Sequence, residues 1–562
     1  MLILGIHAFA HDSAACIISD DGIIAAAEEE RFNRKKHTTA FPHQAIDYCL
    51  NCAGATLQDV DYVGFGWKPW LGFGKRVGNL IKNLPDSLKH KSVHVPKWLN
   101  ILKAKNYLNN GLDITHQKTK YKFHYVDHHL CHFYTAYYLS PFDKALVLTV
   151  DAAGEWKTAT FGWANGDNYD VKKVINYPDS VGFFYSAITQ YLGFKALSGE
   201  GKVMGLAPYG EPEYYDDCAK IARLKDNGDL SLDLQYFRHQ LGDNVWFSDK
   251  MNELWGQPRD PESELTDKYT NIAASLQKRS EDIVISYIEK LLESNPVNNL
   301  CLAGGVALNG CINGQIIKRT PIEHVYVHSA ANDAGPALGA ALYIYHHVLK
   351  NPKKFVLDHA YLGPEFTQSK LKKAAEASGL NFEEHKNIVQ HAAKLLAEGK
   401  ILGWFQGRME WGPRALGNRS ILANPRLAEM KDILNARVKH REGFRPFAPS
   451  ILVEKTGQYF DISQPVPFMT VVSDVLPEKR DEVPAITHVD GTARLQTVSR
   501  TANPIYWELI SEFEKLTGTP IILNTSFNVR GEPIVCTPED AVRCFNSTDM
   551  DFLVLGNYLL WK

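Results

Sequence analysis

Two stretches of this chain, far apart in sequence, repeat one pattern of apolar strand, turn, strand, turn and strand. The first runs Leu2 to Ile6, Ala14 to Ile18 and Ile23 to Ala27, with Asp20-Asp21-Gly22 turning between the last two. The second runs Ala145 to Val150, a turn at Asp151-Ala152-Ala153-Gly154, Thr158 to Trp163, a turn at Asn165-Gly166-Asp167, and a third strand. Apolar runs punctuated by Gly and Asp mark strands and their turns. A region of helix-like apolar spacing follows each unit. The pair therefore reads as an internally duplicated α/β fold, against the alternative of two unrelated hairpins. In a duplicated fold the two turns face each other across a cleft, where backbone N–H groups can grip phosphates.

A chain of 562 residues is too long for one core. Around Lys350 to Lys354 the helical pattern gives way to a connector containing Pro and Lys, so domains are expected at 1–352 and 358–562. The second alternates helices (Gln390 to Glu398, Pro504 to Leu516) with strands (Ile401 to Phe405, Pro520 to Leu523, Phe552 to Leu555), a separate α/β unit. Residues 68–122 stand apart as a basic insertion, with twelve Lys or Arg against Asp86 and Asp113, interleaved with Trp67 at its edge, Trp70 and Trp98. It reads as a solvated helical insertion or, more sharply, as a lid that holds an acceptor.

A net charge of -3 excludes a general nucleic-acid binder. No run approaches the length of a membrane helix, and His7, His11 and Asp12 break the apolar start, so neither membrane nor export is expected. Nine cysteines without a framework fit a reducing cytosol, and the lone Cys49-x-x-Cys52 reads as helix packing rather than a metal or redox pair. A homodimer is compatible with the chain, but nothing in it fixes the oligomeric state.

His128 and His132, in Asp127-His128-His129-Leu130-Cys131-His132, stand four apart, which on a helix puts both imidazoles on one face. Asp151 ends an apolar strand and Asp333 lies in another turn. Two imidazoles and two carboxylates suit Fe(II), Mn or Zn, with Asp12 and His129 left as competing ligands. Glycine pairs at strand ends, Gly304-Gly305 before Asn309 and Gly199 to Lys202, allow close approach to a phosphate, although neither matches a P-loop. Arg414, Arg419, Lys439, Arg441, Arg445 and Arg494 sit among Gly, Pro and Phe, which favours bidentate anion binding over casual surface pairing. Asn524 to Asn528 closes a strand with polar side chains, as at the mouth of an α/β site.

In order, His11-Asp12-Ser13-Ala14-Ala15, Glu28-Glu29-Glu30-Arg31-Phe32 with Arg34-Lys35-Lys36-His37, the histidine run, Gly201 to Gly210, Gly412 to Gly417, Arg445 to Pro449 and Asn524 to Asn528 form one series. It resembles the O-carbamoyltransferases that decorate nodulation factors and antibiotics. The resemblance implies a duplicated actin-like (ASKHA) N-terminal domain, similar to the tRNA-threonylcarbamoyl transferase subunit, and a C-terminal α/β domain similar to threonylcarbamoyl-AMP synthase. It further implies that carbamoyl phosphate and ATP give carbamoyl-adenylate at a distant arginine cluster, and that the carbamoyl group then moves to a hydroxyl of a small acceptor.

Carried over by position, Arg414, Arg419, Lys439, Arg445, Arg494, Asn524 and Ser526 would hold carbamoyl phosphate and ATP, with Mg accompanying the nucleotide. His128, His132, Asp151 and Asp333 would hold the metal, Fe(II) first among the candidates. Asp151, Lys202, Gly304, Gly305 and Asn309 would hold the adenylate, Lys36 the acceptor, and His11 would be the general base. Two departures adjoin supposed ligands: Ala152 and Asn332 stand where glycine is expected. The segment His7 to Ala10 and the basic insertion match no acceptor pattern. Competing readings are a carbamoyltransferase acting on tRNA or in hydrogenase maturation, and a non-catalytic ATP-binding regulator. Near-neutral charge, the lack of a Cys/His zinc module and the paired histidines weigh against them in turn.

Overall fold

The structure, a computed structural model, describes residues 1–83, 91–111, 120–241 and 244–562. Lys89, Lys118, Asp86 and Asp113 of the basic insertion fall outside the described residues.

Both predicted strand triplets form. β1 (Leu2–His7), β2 (Ala14–Ser19) and β3 (Gly22–Glu28) make an antiparallel meander, extended by parallel β4 (Tyr62–Phe65) and β5 (Lys122–Tyr125) in the order β3-β2-β1-β4-β5. The second unit is β6 (Lys144–Gly154), β7 (Lys157–Asn165) and β8 (Asn168–Asn176). After a small hairpin of β9 (Ala222–Leu224) and β10 (Leu230–Leu232), its sheet is completed by parallel β11 (Asn299–Ala303) and β12 (His324–Val327). Its order is β12-β11-β6-β7-β8. Read from the outer meander strand inward, the two sheets have one strand order and one pattern of parallel and antiparallel pairs. The duplication is therefore topological, and this part of the chain has the actin-like α/β arrangement.

One sequence expectation is corrected here. Asp151 to Gly154 is no turn: β6 runs through it, with a shift of register between Val150 and Gly154, and the chain reverses at Glu155-Trp156. A bulge of this kind re-aims a side chain without ending the strand, and the side chain it re-aims is Asp151.

Between the two sheets lie helices His128–Tyr138 and Gly335–Tyr343, packed on one another. The run of small residues Ala337, Ala340 and Ala341 permits that close packing, and Tyr134, Tyr137, Ile3, Cys16, Val147 and Cys301 complete an interior without solvent. The connector at 351–360 has no regular structure, yet Phe355, Leu357 and Ala360 are buried in the same core.

Beyond it, β13 (Asn381–Glu384), β14 (Leu402–Phe405), β15 (Arg419–Ala423), β16 (Ala448–Leu452), β19 (Gln496–Val498), β20 (Ile521–Ser526), β21 (Phe552–Leu555) and β22 (Tyr558–Trp561) form an eight-stranded mixed sheet. A ribbon of β17 (Val472–Asp474) and β18 (Thr492–Arg494) leans on helix Gly310–Arg319 of the first part, where Asn313 Nδ2 donates to the Thr470 carbonyl at 2.7 Å. Helices Ile388–Ala397 and Pro504–Thr517 cover one face of the large sheet.

The acidic motif at the end of β3 has a structural use. The Gly412 N–H donates to Glu28 Oε1 at 2.8 Å, and Arg31 donates to the Gly412 carbonyl at 2.8 Å while pairing with Glu28 and Glu30. Gly412 has φ of 119°, and a Cβ there would stand 2.3 Å from the Ser329 carbonyl oxygen, so only glycine allows this contact. Burial raises the Glu28 carboxyl, opposed chiefly by Arg31. Arg31→Met should therefore cost about 3 kcal/mol of stability, because it leaves buried carboxylates without their cation. Urea unfolding of the full chain would check this, and an unchanged midpoint would refute it.

Candidate active site

Helix His128–Tyr138 is capped by Asp127, whose carboxylate accepts the Leu130 N–H at 3.0 Å. The cap sets both imidazoles facing the bulged end of β6. His128 Nε2 lies 3.3 Å from Asp151 Oδ2, 3.5 Å from Asp333 Oδ1 and 3.1 Å from His132 Nε2. His132 Nε2 lies 3.6 and 3.7 Å from the same carboxylate oxygens. Ligand atoms about 2.1 Å from one cation are separated by roughly 3.0–3.4 Å at octahedral or tetrahedral angles. The four atoms thus bracket a point that a divalent ion fits. Both Nδ1 atoms are buried without a partner, which leaves Nε2 as the lone-pair end of each ring.

Electrostatics agree. Burial opposes charge on His128, but Asp333 and Asp151 outweigh it and hold the imidazole well above its ordinary range. Asp333 is brought down to about 2 although burial and Asp151 work the other way, because the two imidazoles win. Two carboxylates here demand positive charge, which protons supply when no ion does.

Asp151 is fixed from behind, its Oδ1 accepting from the Ala152 N–H at 2.8 Å and the Gly305 N–H at 3.2 Å. That contact explains the glycine pair: Gly304 has φ of 94°, and a Cβ would meet the Val150 carbonyl oxygen at 2.2 Å. Asn309 spends its side chain on Ile312 and Gln277 instead. His129, one of the competing ligands, turns away to Thr149 and the Lys157 carbonyl. The other, Asp12, lies in a second cluster, its Oδ2 2.9 Å from His11 Nδ1 and its Oδ1 2.8 Å from His37 Nδ1.

The cationic residues also gather. Arg414, Arg441, Arg445 and Arg494, with Lys439 and Lys36, are close enough to depress one another. Arg414 is held well below the ordinary range by burial first, then by Arg494 and Arg445. Nε of Arg414 and of Arg494 is shielded from solvent and unpartnered. Glu442 is the carboxylate that answers them, 2.8 Å from Lys202 Nζ and 3.9 Å from Arg445. Two of the sequence candidates lie behind this group. Arg419 is fully buried and donates to the carbonyls of Gln406, Asn418, Pro364 and Gly407. Asn524 donates to Ser450, Gln496 and the Ala415 carbonyl. Lys439 reaches the Ser526 and Asn528 carbonyls, and the Ser526 hydroxyl donates to Asn528 Oδ1 at 2.7 Å.

The arginines are distant from the histidines in sequence but not in the fold. Lys36 feels Arg445 and Arg414, His37 beside it bonds Asp12, Asp12 accepts from Asn332, and Asn332 adjoins Asp333. One strip of neighbouring residues, electrostatic at its Lys36 end, links the two clusters.

Sequence reasoning missed several residues. Glu410 folds the Gly412–Gly417 loop around itself by accepting the N–H groups of Leu416, Asn418 and Arg419. Glu155 accepts the His128 N–H at 3.1 Å and the Lys68 N–H at 2.7 Å, which ties the basic insertion to helix His128–Tyr138. Lys97 of that insertion lies 4.8 Å from the Trp67 ring and feels Asp333. His7, fully buried, has its Nε2 3.9 Å from Asp333. Only the insertion gave a hint of this, through its cations interleaved with tryptophan. No helix among the described residues is long and apolar enough to cross a membrane.

Residues 2–342 match the carbamoyltransferase N-terminus family and residues 393–562 the carbamoyltransferase C-terminus family. An uncharacterized protein of Synechocystis is 43% identical over 100% of this chain and 96% of its own. Nodulation protein NolNO of Sinorhizobium fredii is 38% identical over 99% of this chain and 79% of its own. Among solved structures, component A of the (R)-2-hydroxyglutaryl-CoA dehydratase of Acidaminococcus fermentans has a TM-score of 0.34 and 15% identity, over 62% of this chain and 99% of that one. With both family halves matched in order and a 38% identical relative spanning nearly all of it, the chain belongs to the carbamoyltransferase family of enzymes.

Proposed function

We propose that the chain is an ATP-dependent O-carbamoyltransferase with two centres. At the arginine cluster, in residues 358–562, carbamoyl phosphate, ATP and water give carbamoyl-adenylate, phosphate and pyrophosphate. Beside the His/Asp quartet, in residues 1–352, the carbamoyl carbon passes to the hydroxyl oxygen of a small acceptor, its bond to AMP breaks, and the hydroxyl proton is taken up by a base. The observation that carries this reading is the cationic cluster, whose Arg414 and Arg494 Nε groups lack partners among the described residues and whose arginines Glu442 answers at Arg445. A group of like charges that repel each other is stable only when an anion completes it, and both donors are rich in phosphate.

His128, His132, Asp151 and Asp333 would hold a divalent metal, Fe(II) before Mn or Zn. When bound, such an ion polarises the oxygen of a reacting phosphate or carbonyl. The remaining work falls to the protein. Lys36, between the two centres, would steer the adenylate and acceptor, and Lys202 is released for phosphate whenever it leaves Glu442. Asp12 receives Nδ1–H of His11 and so turns His11 Nε2 outward as the base. Burial opposes charge on His11, but the hydrogen bond and charge of Asp12 prevail and push it up to about 9.

The sign follows. A base must be neutral, so single-turnover transfer should rise about tenfold per pH unit below that value and level off near it. Asp12→Asn should move the rise to lower pH, and a profile flat between pH 6 and 8 would exclude His11 as the base.

The proposal as a whole is tested with isotope-labelled carbamoyl phosphate, ATP, Mg²⁺ and Fe²⁺. Pyrophosphate and AMP are expected, with label entering hydroxylated metabolites of the host. Label entering tRNA instead would move the acceptor to the macromolecular class, and no pyrophosphate at all would refute the first step.

A further inference from the structure

Asn332 stands where the resemblance leads one to expect glycine, next to Asp333. Its amide is committed at one end only. Nδ2 donates to Asp12 Oδ2 at 2.6 Å. Oδ1 is shielded from solvent and has no partner among the described residues. The amide cannot be turned over, because that would set Oδ1 against a carboxylate oxygen. Asp12 is itself held between His11 and His37. A bare acceptor is thus fixed between the histidine pair and the quartet, in the strip that joins the two centres. An acceptor shut away from water without a donor is costly, and a ligand bearing an N–H group would relieve it.

A carbamoyl group differs from an acetyl group in carrying NH2 where acetyl carries methyl. The two are close to isosteric, so an apolar wall separates them poorly, whereas a fixed hydrogen-bond acceptor favours the NH2 form. We propose that Asn332 Oδ1 accepts a hydrogen bond from the NH2 of the carbamoyl group in transit, which makes Asn332 a specificity-determining residue for carbamoyl over acyl groups of the same shape. This rests on the carbamoyl-adenylate reading above. The same residue couples that choice to the base, since its other end holds Asp12. A glycine there would lack both contacts.

The test is calorimetric titration of the full chain with two stable analogues, 5′-O-(N-carbamoylsulfamoyl)adenosine and 5′-O-(N-acetylsulfamoyl)adenosine, which differ only in NH2 against CH3. The wild type should bind the carbamoyl analogue about tenfold more tightly, the worth of one neutral hydrogen bond. In Asn332→Gly the preference should fall to within about twofold. Asn332→Ser serves as a second variant, with thermal melting to confirm that each folds. Loss of the Asp12 contact alone would weaken both analogues together and leave their ratio untouched. If the wild type binds both equally, Oδ1 takes no part in reading the NH2 group, and the proposal falls while the adenylate reading stands. If the preference survives in both variants, another residue reads the NH2 group. If neither analogue binds the wild type, the adenylate reading falls and this proposal with it.

Discussion

Replacing His128 and His132 together by alanine should strip the bound metal and lower carbamoyl transfer on the order of 10³-fold, equal to about 4 kcal/mol of transition-state stabilisation. Pyrophosphate release from ATP should survive, because neither imidazole belongs to the cationic cluster. The double change matters more than either single one. Each Nε2 stands within 3.7 Å of both carboxylates, so one remaining imidazole with Asp151 and Asp333 still offers three ligand atoms. With both gone, Asp151 and Asp333 face each other across the gap, a pair that holds a hard ion weakly and repels itself when empty. Metal analysis after gel filtration and single-turnover transfer would be read side by side. Full metal content with full transfer would show that the quartet is not the metal centre.

Arg414→Met should have the opposite balance, abolishing adenylate formation by about 10²- to 10³-fold while raising the melting temperature of the unliganded protein by about 2–4 °C. The residue is half-buried, faces Arg494 and Arg445, and has no carboxylate partner among the described residues, so its charge burdens the empty fold. Methionine keeps the packing of the side-chain stem and removes the repulsion. Pyrophosphate should raise the melting temperature of the wild type and leave that of the variant almost unmoved. A variant that keeps pyrophosphate release, or that melts below the wild type with no gain from losing the charge, would remove the cluster from the activation step. Arg419→Met is the informative contrast. That guanidinium serves carbonyls, so its loss should unfold before it uncouples chemistry.

How much of this was legible in the sequence depended on the range over which each signal acts. The two imidazoles were readable because helical periodicity alone sets residues four apart side by side. The strand triplets were readable for the same local reason, and their shared topology bears out the duplication. Asp151 was found for a partly wrong cause: it reads as a turn residue, whereas the fold uses it at a bulge inside a strand. Two extra residues in a ladder, here among Asp151 to Ala153 opposite Thr158, leave no compositional trace. Glu28, Arg31 and Gly412 could not have been joined, since their bonds span 381 and 384 positions and each letter is ordinary alone. Glu410 and Glu155 escaped notice because a carboxylate that serves backbone N–H groups has no sequence signature. Arg419 and Arg414 look alike in the sequence, and only burial and partners separate a structural guanidinium from one left bare.

The bond from Arg31 and Glu28 to Gly412 also bears on recombination among relatives. A chimera cut at the connector near residue 352 would join a second half to a foreign partner for its own Gly412–Gly417 loop. The backbone at the start of that loop, at Gly412, is held by Glu28 and Arg31. A workable graft must carry the Glu28–Arg34 segment and the Gly412–Gly417 loop from the same parent, however far apart the two lie in the gene.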